Sequence, residues 1–118
     1  MRTIGLTAVM AAMLAVSAPA RAQPVTLINV FEVPAVALEE TLRYWEAARD
    51  ILVRQPGYVS TRLHQSLAPD ARFSLVNVAV WESPQAFAAA NQAMQREMRL
   101  TLPAGVRFTP SLYRVVRE

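Results

Sequence analysis

The chain has 118 residues, 53% of them hydrophobic and 18% charged, which fits one globular domain and excludes extended disorder. It has no cysteine, one histidine (His64) and three glycines. That excludes disulfides, thiolate chemistry, metal sites built on two imidazoles, and both glycine-rich phosphate loops.

The formal charge of +3 overstates the basicity of the folded part. Met1-Arg2-Thr3 is a basic start, Ile4 to Val16 carries no charge, and Ala20-Arg21-Ala22 has the small-x-small form of a signal-peptidase site. The apolar run is short for a membrane span, so residues 1–22 read as an export signal cut after Ala22. Cleavage leaves residues 23–118, removes Arg2 and Arg21, and brings the net charge from +3 to +1. The expectation is a periplasmic or secreted protein with no membrane association after cleavage and no nucleic-acid partner. Without disulfides, that domain depends on core packing or on association.

Val25 to Val33 is rich in β-branched residues and reads as a strand that Pro34 ends. Leu38, Leu42, Trp45, Ala48 and Leu52 form one stripe of an amphipathic helix, with Glu39, Glu40, Arg43, Glu46, Arg49 and Asp50 on its polar side. Pro56-Gly57 stops it. Tyr58 to Gln65 is a second strand, and Ala68-Pro69-Asp70-Ala71 a turn. Phe73 to Trp81 is a third strand. Ser83 and Pro84 have the residue types of an N-cap and a first helical position. Phe87, Ala90, Met94 and Met98 then mark the buried side of a second helix, which Pro103 and Gly105 break. Ser111 to Val116 reads as the last strand. The order βαββαβ predicts a ferredoxin-like α+β fold: a four-stranded antiparallel sheet with both helices on one face. The other face would stay open and apolar, which a homodimer would cover.

The alternation of the third strand puts Phe73, Leu75, Asn77, Ala79 and Trp81 on one face. An amide in that apolar row needs a partner, because burying it unpaired costs a few kcal/mol. Main chain, water or a ligand could serve, and a purely structural amide pinning a loop is the simplest alternative. Asn29, between Leu27 and Phe31, poses the same question on the first strand. Trp81 can wall a cavity and donate through its indole N–H, or be ordinary core. His64 falls on the face of Ser60 and Arg62, away from Leu63. A lone histidine with no triad motif around it is a weak sign of a catalytic base. Arg96, Arg99 and Arg107 could form a basic rim for an anionic ligand, or a solvated face.

Pro56-Gly57-Tyr58-Val59-Ser60, followed by the run from Val76 through Asn77, Trp81, Glu82, Ser83 and Pro84 to Phe87, resembles the antibiotic biosynthesis monooxygenase superfamily of dimeric α+β barrels. The similarity runs from about Val25 to Val116. It implies a cofactor-free oxidation of a small phenolic or quinol-like aromatic by O2, with no flavin or metal, in a homodimer. It implies Asn77 and Trp81 as the catalytic pair, and a pocket lined also by Asn29, Phe31, Leu63 and Phe87. Leu63 and Phe87 stand where quinol-forming members have substrate-holding tyrosines. In the haem-degrading branch the first-strand asparagine is similar to Asn29, but that branch's helical tryptophan and haem-ligating histidine fall near Ala90 and Leu100. The alternatives are a non-catalytic binding or stress-associated module of the same fold and, further off, a haem-binding protein.

Overall fold

The computed structural model of the chain describes residues 23–118; the expected export signal, residues 1–22, lies outside them. Four strands, β1 (Val25–Glu32), β2 (Tyr58–Gln65), β3 (Leu75–Trp81) and β4 (Arg107–Tyr113), form one antiparallel sheet in the order β2-β3-β1-β4. Helices α1 (Leu38–Leu52) and α2 (Pro84–Glu97) pack against each other and cover one face of it. A 3-10 turn, Ala35–Ala37, leads into α1. This is the expected ferredoxin-like βαββαβ arrangement.

Composition explains the strand order. β1 and β3 carry the Val, Ile, Leu and Trp residues that suit a strand with neighbours on both sides. β2 and β4 carry Ser, Thr, Arg, His and Gln, which blunt an edge against further pairing. The buried residues of β3 alternate from Leu75 to Trp81 as expected, and those of β1 are Leu27 and Phe31. Leu27, Ala79, Trp81 and Ala90 form the core, with Val25, Leu52, Tyr58, Ala86 and Phe87 packed around them.

Ser83 caps α2 as its sequence indicates: its hydroxyl accepts from the Ala86 N–H at 3.0 Å, with Pro84 following. Such a cap is worth about 1 kcal/mol. Gly57 is required where β2 begins. Its φ is +88°, a Cβ there would run into the Ala86 side chain, and its carbonyl accepts from the Glu82 N–H at 2.8 Å. The Pro-Gly turn is thereby tied to the end of β3 and the start of α2.

Several boundaries differ from the sequence reading. The first strand ends at Glu32 rather than Val33. The third strand begins at Leu75 rather than Phe73, and α2 ends at Glu97, well before Pro103. The last strand is Arg107–Tyr113, not Ser111–Val116. Pro110 reads in the sequence as a strand breaker, but it sits opposite Asn29 on an edge strand, where ladder bonds are needed on one side only. On α1 the most deeply buried residue is Thr41, outside the expected stripe. Its hydroxyl returns to the Ala37 carbonyl at 2.7 Å, which is how a polar side chain is accommodated there.

Candidate functional site

Between the sheet and the two helices lies a cavity of about 360 Å³, within the size range of small-molecule sites. It runs diagonally across the sheet, from Tyr58 and Thr61 on β2, over Asn77, Ala79 and Trp81, past Leu27, Asn29 and Phe31, to Phe108 and Pro110 on β4. Trp45, Ala48, Arg49 and Leu52 of α1 and Phe87, Asn91, Met94 and Gln95 of α2 form the roof. Side-chain alternation puts the floor residues of each strand on this face.

Asn77 is 8% exposed and stands in the middle of the floor. Its partner is the side chain of Thr61, whose hydroxyl donates to Asn77 Oδ1 at 2.8 Å. The amide is therefore held by a neighbouring strand's side chain and does not pin a loop. Asn29 faces Asn77 directly in the β1–β3 register, and its Oδ1 is buried without a hydrogen-bond partner.

Trp81, 1% exposed, closes the β2 end of the cavity. Its ring meets Tyr58 edge-on at 5.6 Å between centroids and Phe87 at 5.8 Å. The tilted pair Phe31 and Phe108, at 6.1 Å, lines the other end. Flat aromatic walls at both ends and amides on the floor suit a planar guest carrying a polar oxygen.

Asn77, Trp81, Asn29, Phe31 and Phe87 thus come together in one cavity. Leu63 does not line it. Leu63 shares the face and sits opposite Asn77, but at the sheet edge and off the diagonal; Thr61, one pleat nearer Trp81, takes the place. The basic rim also fails to assemble there. Arg96 and Arg107 line neither hollow described, and Arg99 borders a separate hollow with Glu40, Arg43 and Tyr44. The cation at the cavity is instead Arg49, which lies over the Trp45 ring at 5.3 Å and pairs with Asp50 at 3.0 Å. The helical wheel places Arg49 on the polar side of α1, and only the position of α1 over the sheet brings it to the cavity. Tyr44 and Tyr58 supply phenolic groups to the lining that the motif positions Leu63 and Phe87 lack.

His64 is on the opposite sheet face, with its Nδ1 3.3 Å from the Val76 carbonyl oxygen. No imidazole and no carboxylate lines the cavity among the described residues. Nor do the described residues hold any cluster of three or more His, Asp or Glu suited to a metal ion. The site offers hydrogen-bond donors and aromatic walls, but no side chain suited to strip a proton at neutral pH. None of the described helices is long and apolar enough to cross a membrane.

Residues 24–97 match the family model for antibiotic biosynthesis monooxygenases. No curated protein matches the chain. Among solved structures, a Shewanella loihica protein provisionally named a monooxygenase is 46% identical, covering 84% of this chain and 100% of its own, with a TM-score of 0.76. SnoaB, a cofactor-independent oxygenase from Streptomyces nogalater, is 26% identical over 82% of this chain and 97% of its own, with a TM-score of 0.63. A haem-degrading protein from Mycobacterium tuberculosis has the same fold at 24% identity, covering 82% of this chain and 98% of its own, with a TM-score of 0.54.

Proposed function

Because the chain belongs to the antibiotic biosynthesis monooxygenase family, we propose that it oxidises a small phenolic or quinol-like aromatic with O2 and without a cofactor. One observation carries the reading: a buried amide, with its oxygen already engaged by Thr61, on the floor of an aromatic-walled cavity of about 360 Å³. The similarity to a cofactor-independent oxygenase supports it. An electron-rich substrate of the anthrone type loses a proton from its CH2 to water, and the resulting anion gives one electron to O2. Superoxide and the substrate radical combine to a peroxide anion, which takes the proton back from water; the resulting hydroperoxide then loses water and leaves a carbonyl. One oxygen atom stays in the product and the other leaves as water. The protein's part is to hold the ring between Trp81 and Phe31 and to donate a hydrogen bond to the oxygen where charge gathers. Haem ligated by histidine does not fit, since the only imidazole lies across the sheet.

Incubation of an anthrone with the protein under 18O2 tests this reading. One labelled atom in the product, formed faster than in buffer, is the expected result. Oxygen reduced to peroxide with no label in the product would make it an oxidase. Thermal stabilisation by the aromatic without turnover would leave a binding module.

Among the described residues, no element covers the sheet face away from the helices, which presents Ile28, Val30, Val76, Val78 and Val80, all half-buried. We propose that a second copy covers it. The expected result is a dimer by sedimentation at micromolar concentration, and a monomer for Val78→Glu, which buries a charge at the centre of that contact.

A further inference from the structure

The two ends of an asparagine amide are nearly equal in shape and opposite in chemistry. With its NH2 turned to the cavity, Asn77 stabilises an oxygen that gains negative charge; with its carbonyl turned there, it repels one. The identity of this end decides whether the site can assist the reaction proposed above, on which this inference rests. Nothing in the amide itself makes the choice.

The sheet makes it from both sides. β3 lies between β2 and β1, so Asn77 has Thr61 on one flanking strand and Asn29 on the other. On the β2 side, the Thr61 hydroxyl donates to Oδ1 at 2.8 Å. On the β1 side, directly opposite in register, stands Asn29 with a buried Oδ1 that has no donor. Turning the amide over would put a second carbonyl oxygen on the side of that unsatisfied one and would change the Thr61 hydroxyl from donor to acceptor. None of the hydrogen bonds among the described residues uses the Asn77 NH2, which leaves it for a guest.

We infer that Thr61 is a positioning residue: its hydroxyl, donating to Oδ1 while the acceptor oxygen of Asn29 stands on the other strand, holds the Asn77 amide with its NH2 group free for a substrate whose reacting oxygen accepts hydrogen bonds and becomes anionic. Thr61 acts through Asn77 and needs no contact with the substrate. Valine at this position keeps the shape and removes the latch; serine keeps the latch.

Steady-state oxygen uptake with an anthrone, measured on Thr61→Val, Thr61→Ser, Asn77→Ala and the Thr61→Val/Asn77→Ala double variant, tests this. Thr61→Val should lower kcat by about tenfold, the worth of one ordinary hydrogen bond, with KM changed by less than about twofold. Thr61→Ser should stay within about twofold of the parent protein, which keeps the test open should valine impair folding. The double variant should be no slower than Asn77→Ala alone, because a latch has no effect once its amide is gone. Parent-like kcat in Thr61→Val beside an impaired Asn77→Ala, or losses that multiply in the double variant, would overturn the role of Thr61 and leave the site intact. Parent-like rates in Asn77→Ala would overturn the site reading itself, and the latch with it.

Discussion

Trp81→Ala is expected to cost the fold about 3–5 kcal/mol, the range for large aromatic truncations in a packed core. Trp81 is 1% exposed and belongs to the core formed with Leu27, Ala79 and Ala90. It also holds Tyr58 and Phe87 in edge-on contacts, each worth about 0.5–1.5 kcal/mol beyond area burial. A domain of this size has about 5–15 kcal/mol in all, so the variant sits near the unfolding threshold. Its denaturant midpoint should fall sharply with little change in slope. Trp81→Phe keeps most of the ring contacts and should lose much less. A loss below about 1 kcal/mol in the alanine variant would mean that the ring is not part of the core described here.

The second large effect is on chemistry. Asn77→Ala should lower the rate of anthrone oxidation by about 100- to 1000-fold, the usual consequence of removing one preorganised donor from a site of developing negative charge. Its effect on stability should be modest: the Thr61 hydroxyl loses its acceptor, at about 1–3 kcal/mol. Asn77→Asp separates shape from chemistry. The carboxylate can still accept from Thr61, but it has no N–H to offer and carries a charge that opposes an anionic oxygen. Oxygen uptake in the aspartate variant should therefore be no faster than in the alanine variant. An aspartate variant that matches the parent protein would show that shape alone matters at this position.

Much of this was legible from the residues. The alternation of Leu75, Asn77, Ala79 and Trp81 fixes which side chains share a face, because a strand has period two whatever surrounds it. Ser83 and Pro84 mark the start of α2 by local chemistry that tertiary contacts do not disturb. The resemblance carried by the Pro-Gly-aromatic turn and the Asn77–Phe87 run gave the family. What stayed hidden depends on contacts between elements. Pro110 looks like a breaker until β4 is known to be an edge. Arg49 looks solvated until α1 is placed over the sheet. Thr61 and Leu63 lie on the same face of β2, and only the diagonal course of the cavity favours the first. The signal that could have found Thr61 is its position two residues from Leu63 on that face, one pleat closer to Trp81.

The central claim is that the Asn77 NH2 group meets the reacting oxygen of an aromatic guest inside this cavity. A crystal structure of the protein with a non-reactive quinone product bound tests it most directly. The account predicts a ring between Trp81 and Phe31, with a ligand oxygen about 2.7–3.2 Å from Asn77 Nδ2 and the Thr61 hydroxyl still on Oδ1. A ligand seated elsewhere, or one in the cavity whose oxygen ignores Asn77, would contradict it.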